Sequence, residues 1–175
     1  MATKSTSKSQ ARPKTGSKSD RKKAVDSARP MDAIKLLKTD HREVRTLFTE
    51  FEKASDEPTK QKVAEKICLA LTIHAQIEEE IFYPAAYAAL DDDDLLDEAE
   101  VEHASAKELI SQIQSSAAGE PLFDAKVTVL GEYINHHVKE EENELFPECR
   151  GSTMDLKALG QQLADQKAKL MAEKR

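Results

Sequence analysis

From residue 31 onward, apolar residues recur at intervals of three and four, the period of a helix with one buried face. Ile34, Leu37, Val44, Leu47, Phe48 and Phe51 form the first such stripe, with His41 set into it. Ser55-Asp56-Glu57-Pro58 interrupts the pattern, and Pro58 suits the first turn of a new helix. The second stripe runs through Val63, Ile67, Leu71, His74, Ile77, Glu78 and Ile81, and Pro84 is expected to end or kink it. The Ala-rich stretch 85–90 can continue as helix. A third stripe carries Leu96, Ala99, His103, Ala106, Leu109, Ile110 and Ile113 behind the acidic run Asp91–Asp94, which reads as a dipole-complementing cap. Gly119-Glu120-Pro121 is the next break. The fourth stripe holds Val127, Leu130, Ile134, His137, Glu141 and Leu145 and closes near Pro147. No stretch alternates with period two. The expected fold is all-α, an up-down-up-down four-helix bundle over residues 31–150. A charged C-terminal helix in 151–175, with Leu156, Leu159, Leu163 and Leu170, is expected outside the bundle.

The two halves of this pattern repeat. His74-Ala-Gln-Ile-Glu78-Glu79-Glu80-Ile-Phe-Tyr83-Pro84 aligns with His137-Val-Lys-Glu-Glu141-Glu142-Asn-Glu-Leu-Phe146-Pro147 at an offset of 63 residues. An isolated histidine precedes each copy, His41 by 33 residues and His103 by 34, and each follows an acid, Asp40 or Glu102. The unit is a helical hairpin used twice. Positions four apart share a helix face, so His74 and Glu78 point together into the apolar side, as do His137 and Glu141. Glu79 and Glu142 rotate about 100° away, toward water. A charged carboxylate on a core face costs several kcal/mol unless it is paired or bound to metal. One His-x3-Glu pair is ordinarily a surface ion pair, and one core histidine is ordinarily just hydrogen-bonded. Here four of five histidines fall on matching buried positions. That concurrence predicts a metal cage of four imidazoles and two carboxylates. The set exceeds one structural zinc and lacks thiolates, which favours iron or manganese, with zinc as a substitute.

At these residues the chain resembles the hemerythrin-like, or HHE cation-binding, family, whose signature is an isolated His followed by His-x3-Glu, twice, in a four-helix bundle. The resemblance covers about residues 31–150. It implies two non-haem iron ions held by His41, His74 and Glu78 from one hairpin and His103, His137 and Glu141 from the other. The glutamates would bridge the ions, with a position open for dioxygen, peroxide or nitric oxide. Oxygen-carrying members bear His-x3-His on the third helix and an Asp on the fourth. This chain has Lys107 and Glu141 at those places. That departure favours a sensing, stress-response or iron-handling role over oxygen storage. Peroxidase- or catalase-like turnover is an alternative. Lys107 and its counterpart Arg45 are spaced to approach the site carboxylates. Tyr83, Tyr87 and Tyr133 are candidates for hydrogen bonding or radical quenching near the site, although at helical spacing they read first as packing residues.

Composition adds a division of charge. Residues 1–30 carry nine basic residues against Asp20 and Asp26, a net of +7, while the remaining 17 basic and 31 acidic residues give −14. With almost nothing apolar, the basic segment is expected to be a disordered tail. It is suited to nucleic acid or another anionic surface, and a binding module working through this tail is a further alternative. No apolar run reaches the roughly 18 residues a membrane span needs. No secretory signal is evident, so a cytoplasmic location is expected. Cys68 and Cys149 are too few for a disulfide framework and read as buried thiols.

Overall fold

A computed structural model describes residues 31–91 and 93–174 of the 175-residue chain. The basic segment 1–30, with its expected disorder and anionic partners, lies outside the described residues. Helix α1 spans Ala33–Lys53 and α2 spans Glu57–Ile77. Asp32 starts α1 by accepting from the Lys35 amide, and Asp56 starts α2 by accepting from the Thr59 amide. Each cap satisfies one of the free amides of a helix first turn. Helix α4, Asp94–Gln114, begins behind Asp93 and carries Asp94 and Asp97 in its first turn. Helix α5 covers Phe123–Glu140. These four helices form the bundle, each packing against its two sequence neighbours around the ring.

Pro84 distorts its helix, one of the two outcomes expected of it, whereas Pro147 does not close the fourth helix. Neither helix ends at its proline. Each passes through a π-helical turn, Glu78–Phe82 and Glu141–Leu145, into a short helix, α3 (Tyr83–Tyr87) and α6 (Phe146–Gly151). The Tyr83 amide bonds back to the Glu78 carbonyl, and the Phe146 amide to the Glu141 carbonyl, five residues away. A proline removes one amide and crowds the preceding turn. Widening that turn by one residue lets the helix continue past it. Each wide turn begins on the glutamate of a His-x3-Glu pair.

The C-terminal helix α7, Leu156–Glu173, is part of the packed structure. It lies on α1, α2 and the first π turn, with Leu163 fully buried. Gly160 makes that approach possible. A Cβ there would sit 2.1 Å from the Met31 carbonyl oxygen and 2.8 Å from the Ala33 nitrogen.

The bundle interior is split. One apolar cluster contains Leu37, Ile73, Phe82, Leu96, Phe146 and Leu163. The other contains Phe51, Ile67, Leu71, Ile110, Phe123 and Leu130. Between them lies a polar layer built from the repeat.

Candidate metal centre

All six predicted residues meet in that layer. His41, His74, Glu78, His103, His137 and Glu141 are each at most 6% exposed, and Glu78 is at 0%. The four imidazoles present their Nε2 atoms inward. His41 and His74 approach at 3.1 Å between Nε2 atoms, and His103 and His137 also at 3.1 Å. Glu78 stands between the pairs, with Oε1 3.2 Å from His74 Nε2 and Oε2 3.5 Å from His103 Nε2. Glu141 Oε2 lies 3.2 Å from His41 Nε2 and 3.6 Å from His137 Nε2. Two donor groups result: His41, His74, Glu78 and Glu141, and Glu78, His103 and His137. Glu78 belongs to both.

This set fits metal on an internal criterion. Glu78 Oε1 and Oε2 and Glu141 Oε2 are buried oxygens with no hydrogen-bond donor. Buried carboxylates without donors are strongly unfavourable unless a cation satisfies them. Imidazole and carboxylate atoms converging at these separations are the donor chemistry of a first-row transition ion.

The outer nitrogens show how the imidazoles are held. His137 Nδ1 donates to Glu102 at 2.7 Å, and His74 Nδ1 faces Asp40 at 3.6 Å. The acid preceding each isolated histidine thus faces the other histidine of its own hairpin, Glu102 through a hydrogen bond and Asp40 by charge alone. Glu79 and Glu142 keep partial exposure, 31% and 22%, as their rotation away from the centre implies, and each also reaches a histidine. His103 Nδ1 donates to Glu79 at 2.9 Å, and His41 Nδ1 to Glu142 at 3.0 Å, each across to the other hairpin. A 100° rotation leaves a side chain flanking the core, where the neighbouring helix passes. Carboxylates on the outer nitrogens fix ring orientation and raise ligand basicity. Lys107 grips both oxygens of Glu79 at 2.6 Å, and Arg45 lies 3.8 Å from Glu142. Both cations therefore act on the supporting acids. Lys167, from α7, donates to Asp40 at 2.7 Å.

Charge follows from these contacts. Burial disfavours a charged His74, yet Glu78, Asp40 and Glu141 outweigh it and push its pKa up to about 10. Burial likewise opposes a charged His137, but Glu141 and Glu102 raise it to about 9. Burial and the charge on His137 hold His103 down. Burial would raise Glu141, but His137, His41 and His74 draw it to about 2. Burial lifts the thiols of Cys68 and Cys149 to about 11 and 12, as expected of inert core cysteines.

Two tyrosines depart from a simple packing role. Tyr83 is 1% exposed, and its hydroxyl donates to Glu141 Oε1 at 3.0 Å and lies 3.3 Å from His103 Nε2. Tyr87 donates to Asp97 at 2.8 Å. The fifth histidine, His136, is exposed and pairs with Glu140. The signal for Tyr83 was in the repeat, where its counterpart is Phe146.

A cavity of about 20 Å³ borders the four histidines and is otherwise walled mainly by Val44, Leu71, Ala75, Ala106, Ile110, Ile134 and Val138. A space of that size admits about one water-sized molecule.

A sequence profile of the hemerythrin HHE cation binding domain matches residues 32–149. The chain belongs to this family of cation-binding helical bundles. It is 32% identical over 125 residues to a protein of Nostoc sp. named DNA nickase, covering 70% of this chain and 34% of that protein. The chain thus spans about a third of that relative's length. A crystal structure of an HHE cation-binding domain protein from Mycobacterium kansasii superposes with a TM-score of 0.71 at 22% identity, covering 82% of this chain and 89% of that one. Among the described residues no helix is long and apolar enough to cross a membrane.

Proposed function

We propose that this chain holds two non-haem iron ions through His41, His74, Glu78, His103, His137 and Glu141, and that they bind or react with a small oxidant: dioxygen, peroxide or nitric oxide. Manganese or zinc could substitute in the same donors. The observation that carries the reading is Glu78, fully buried between two histidine pairs with a different oxygen toward each and no donor on either. Bound iron supplies the redox and small-ligand chemistry. The chain's part is positional. Glu79, Glu102, Asp40 and Glu142 orient the imidazoles, and the apolar walls of the cavity exclude bulk water. The water-sized space supports a diatomic or peroxide ligand over an organic substrate. Sensing, stress response or iron handling are roles in keeping with such a site.

Loading with iron under reducing conditions tests this. Two irons per chain and a ligand-to-metal band on air exposure are expected. A protein that stays colourless and iron-free refutes it. Steady peroxide consumption by the loaded protein would make it an oxidoreductase with catalase- or peroxidase-like turnover.

A second reading draws on the relative named DNA nickase and on the +7 charge of residues 1–30. It gives the chain a nucleic-acid partner, engaged through phosphate contacts. Plasmid binding and nicking by the full chain, compared with a chain lacking residues 1–30 at physiological salt, separate it from the first.

A further inference from the structure

The repeat makes the centre nearly two-fold, and one pair of residues breaks it. Tyr83 and Phe146 occupy equivalent places, each opening the short helix after a π turn. The Phe146 ring stacks on His41, with centroids 5.8 Å apart and planes 8° from parallel. It brings no donor. Tyr83 brings its hydroxyl to the opposite pair.

Two atoms bound at right angles to one ion, each about 2.1 Å from it, lie about 3.0 Å apart. Tyr83 Oη is 3.0 Å from Glu141 Oε1 and 3.3 Å from His103 Nε2. His103 Nε2 is in turn 3.1 Å from His137 Nε2 and 3.5 Å from Glu78 Oε2. The phenol oxygen therefore stands among these atoms at the spacing they keep from one another. The outer nitrogen of His103 is taken by Glu79, which leaves its Nε2 lone pair directed at the same point.

Building on the diiron reading, we infer that Tyr83 Oη is a further protein ligand of the ion held by His103 and His137, and that the two ions are consequently inequivalent. On binding ferric iron, an oxygen–iron bond replaces the phenol O–H bond, and the proton is released to solvent. The His103/His137 ion then has His103, His137, Glu78, Glu141 and Tyr83 around it. The His41/His74 ion has His41, His74, Glu78 and Glu141, with Phe146 in place of a donor. The second ion keeps more open positions, so exogenous ligands bind there first. Tyr83 and Phe146 are absent from the cavity lining, so the phenol does not occupy the small-ligand space.

The test compares the wild-type chain, Tyr83→Phe and Phe146→Tyr, each loaded with iron, oxidised in air and checked for iron per chain. The readouts are the visible phenolate-to-iron charge-transfer band and tyrosinate ring modes in resonance Raman. The wild type should show both, Tyr83→Phe should lose both from the iron it retains, and Phe146→Tyr should add a second tyrosinate set. Phe146→Tyr removes no existing contact donor, so it reports even if Tyr83→Phe folds poorly. Two irons with no tyrosinate signature in the wild type overturn this assignment alone, as does a signature that survives in Tyr83→Phe. A chain that takes up no iron overturns the diiron reading and this assignment with it.

Discussion

In the proposed diiron centre metal and protons compete for the same nitrogen atoms, and the competition can be counted. In protein stripped of metal, His74 titrates near 10 and His137 near 9, so at pH 7 both carry a proton. Glu141, near 2, is already ionised, and His103 is held below its ordinary value and is neutral. A metal requires the lone pairs, so loading must expel the two imidazolium protons. Because both values lie above pH 7, apparent affinity at pH 7 should be several powers of ten weaker than above pH 10. The logarithm of affinity should rise by about two per pH unit up to pH 9, by about one from 9 to 10, and then level. Zinc, which has no redox chemistry, is the suitable probe. Calorimetric titration at pH 7 in buffers of different ionisation enthalpy should count two protons released per saturated chain. The stripped protein should show the matching stability profile. The two raised histidines stabilise it fully below their unfolded value near 6.5, and this is lost as pH rises through 9 and 10. The lowered Glu141 stabilises it above about 4.5, and this is lost as pH falls toward 2. An affinity that stays flat from pH 6 to 9, with no proton release, would refute the reasoning.

Three further outcomes are expected. Glu79→Ala should weaken metal binding by roughly tenfold to hundredfold, because His103 loses the acceptor that orients it; competition against a chelator measures this, and Lys107→Met should give a smaller change in the same direction. Gly160→Ala forces a methyl group against the Met31 carbonyl, and should destabilise by roughly 1–3 kcal/mol and free α7 to limited proteolysis. A melting temperature equal to wild type would contradict the tight contact. Leu122 sits in the left-handed region at φ 70° and is 70% exposed, so Leu122→Gly should gain about 1 kcal/mol in a urea melt.

Much of this could be read from the chain because helical period and ligand spacing are the same information. A histidine at an apolar stripe position, such as His41 between Leu37 and Val44, is committed to the interior before any tertiary contact is known. The six inward residues were legible for that reason. What escaped depends on how helices neighbour one another. The contact of Glu79 with His103 does not follow from its angle on its own helix; it needs α4, which carries His103, to pass along that flank. Pro84 and Pro147 announce a lost hydrogen bond, yet a stop and a widened turn share that signal, and only packing decides between them. Helix α7 packs outside the four-helix bundle, but its close seat on α1 rests on Gly160, which has no side chain to register in a hydrophobic pattern.

The supporting contacts also explain why the repeat contains acids beyond its ligands. Asp40 and Glu102 act within a hairpin, on His74 and His137. Glu79 and Glu142 act between hairpins, on His103 and His41. Each π turn therefore supplies two consecutive carboxylates with different tasks, the first turned into the centre and the second braced on the opposite hairpin. One hairpin alone has two imidazoles and one inward carboxylate, with one imidazole lacking its acid. Only the assembled bundle gives every ring a carboxylate on its outer nitrogen and places Glu78 between both histidine pairs. The centre is thus a product of docking the two hairpins, and the ion-binding groups and the bundle's closure are the same set of contacts. The two hairpins differ in a phenol at 83 against a phenyl at 146, and in Lys167 from α7 on Asp40 where Glu102 faces His136 instead.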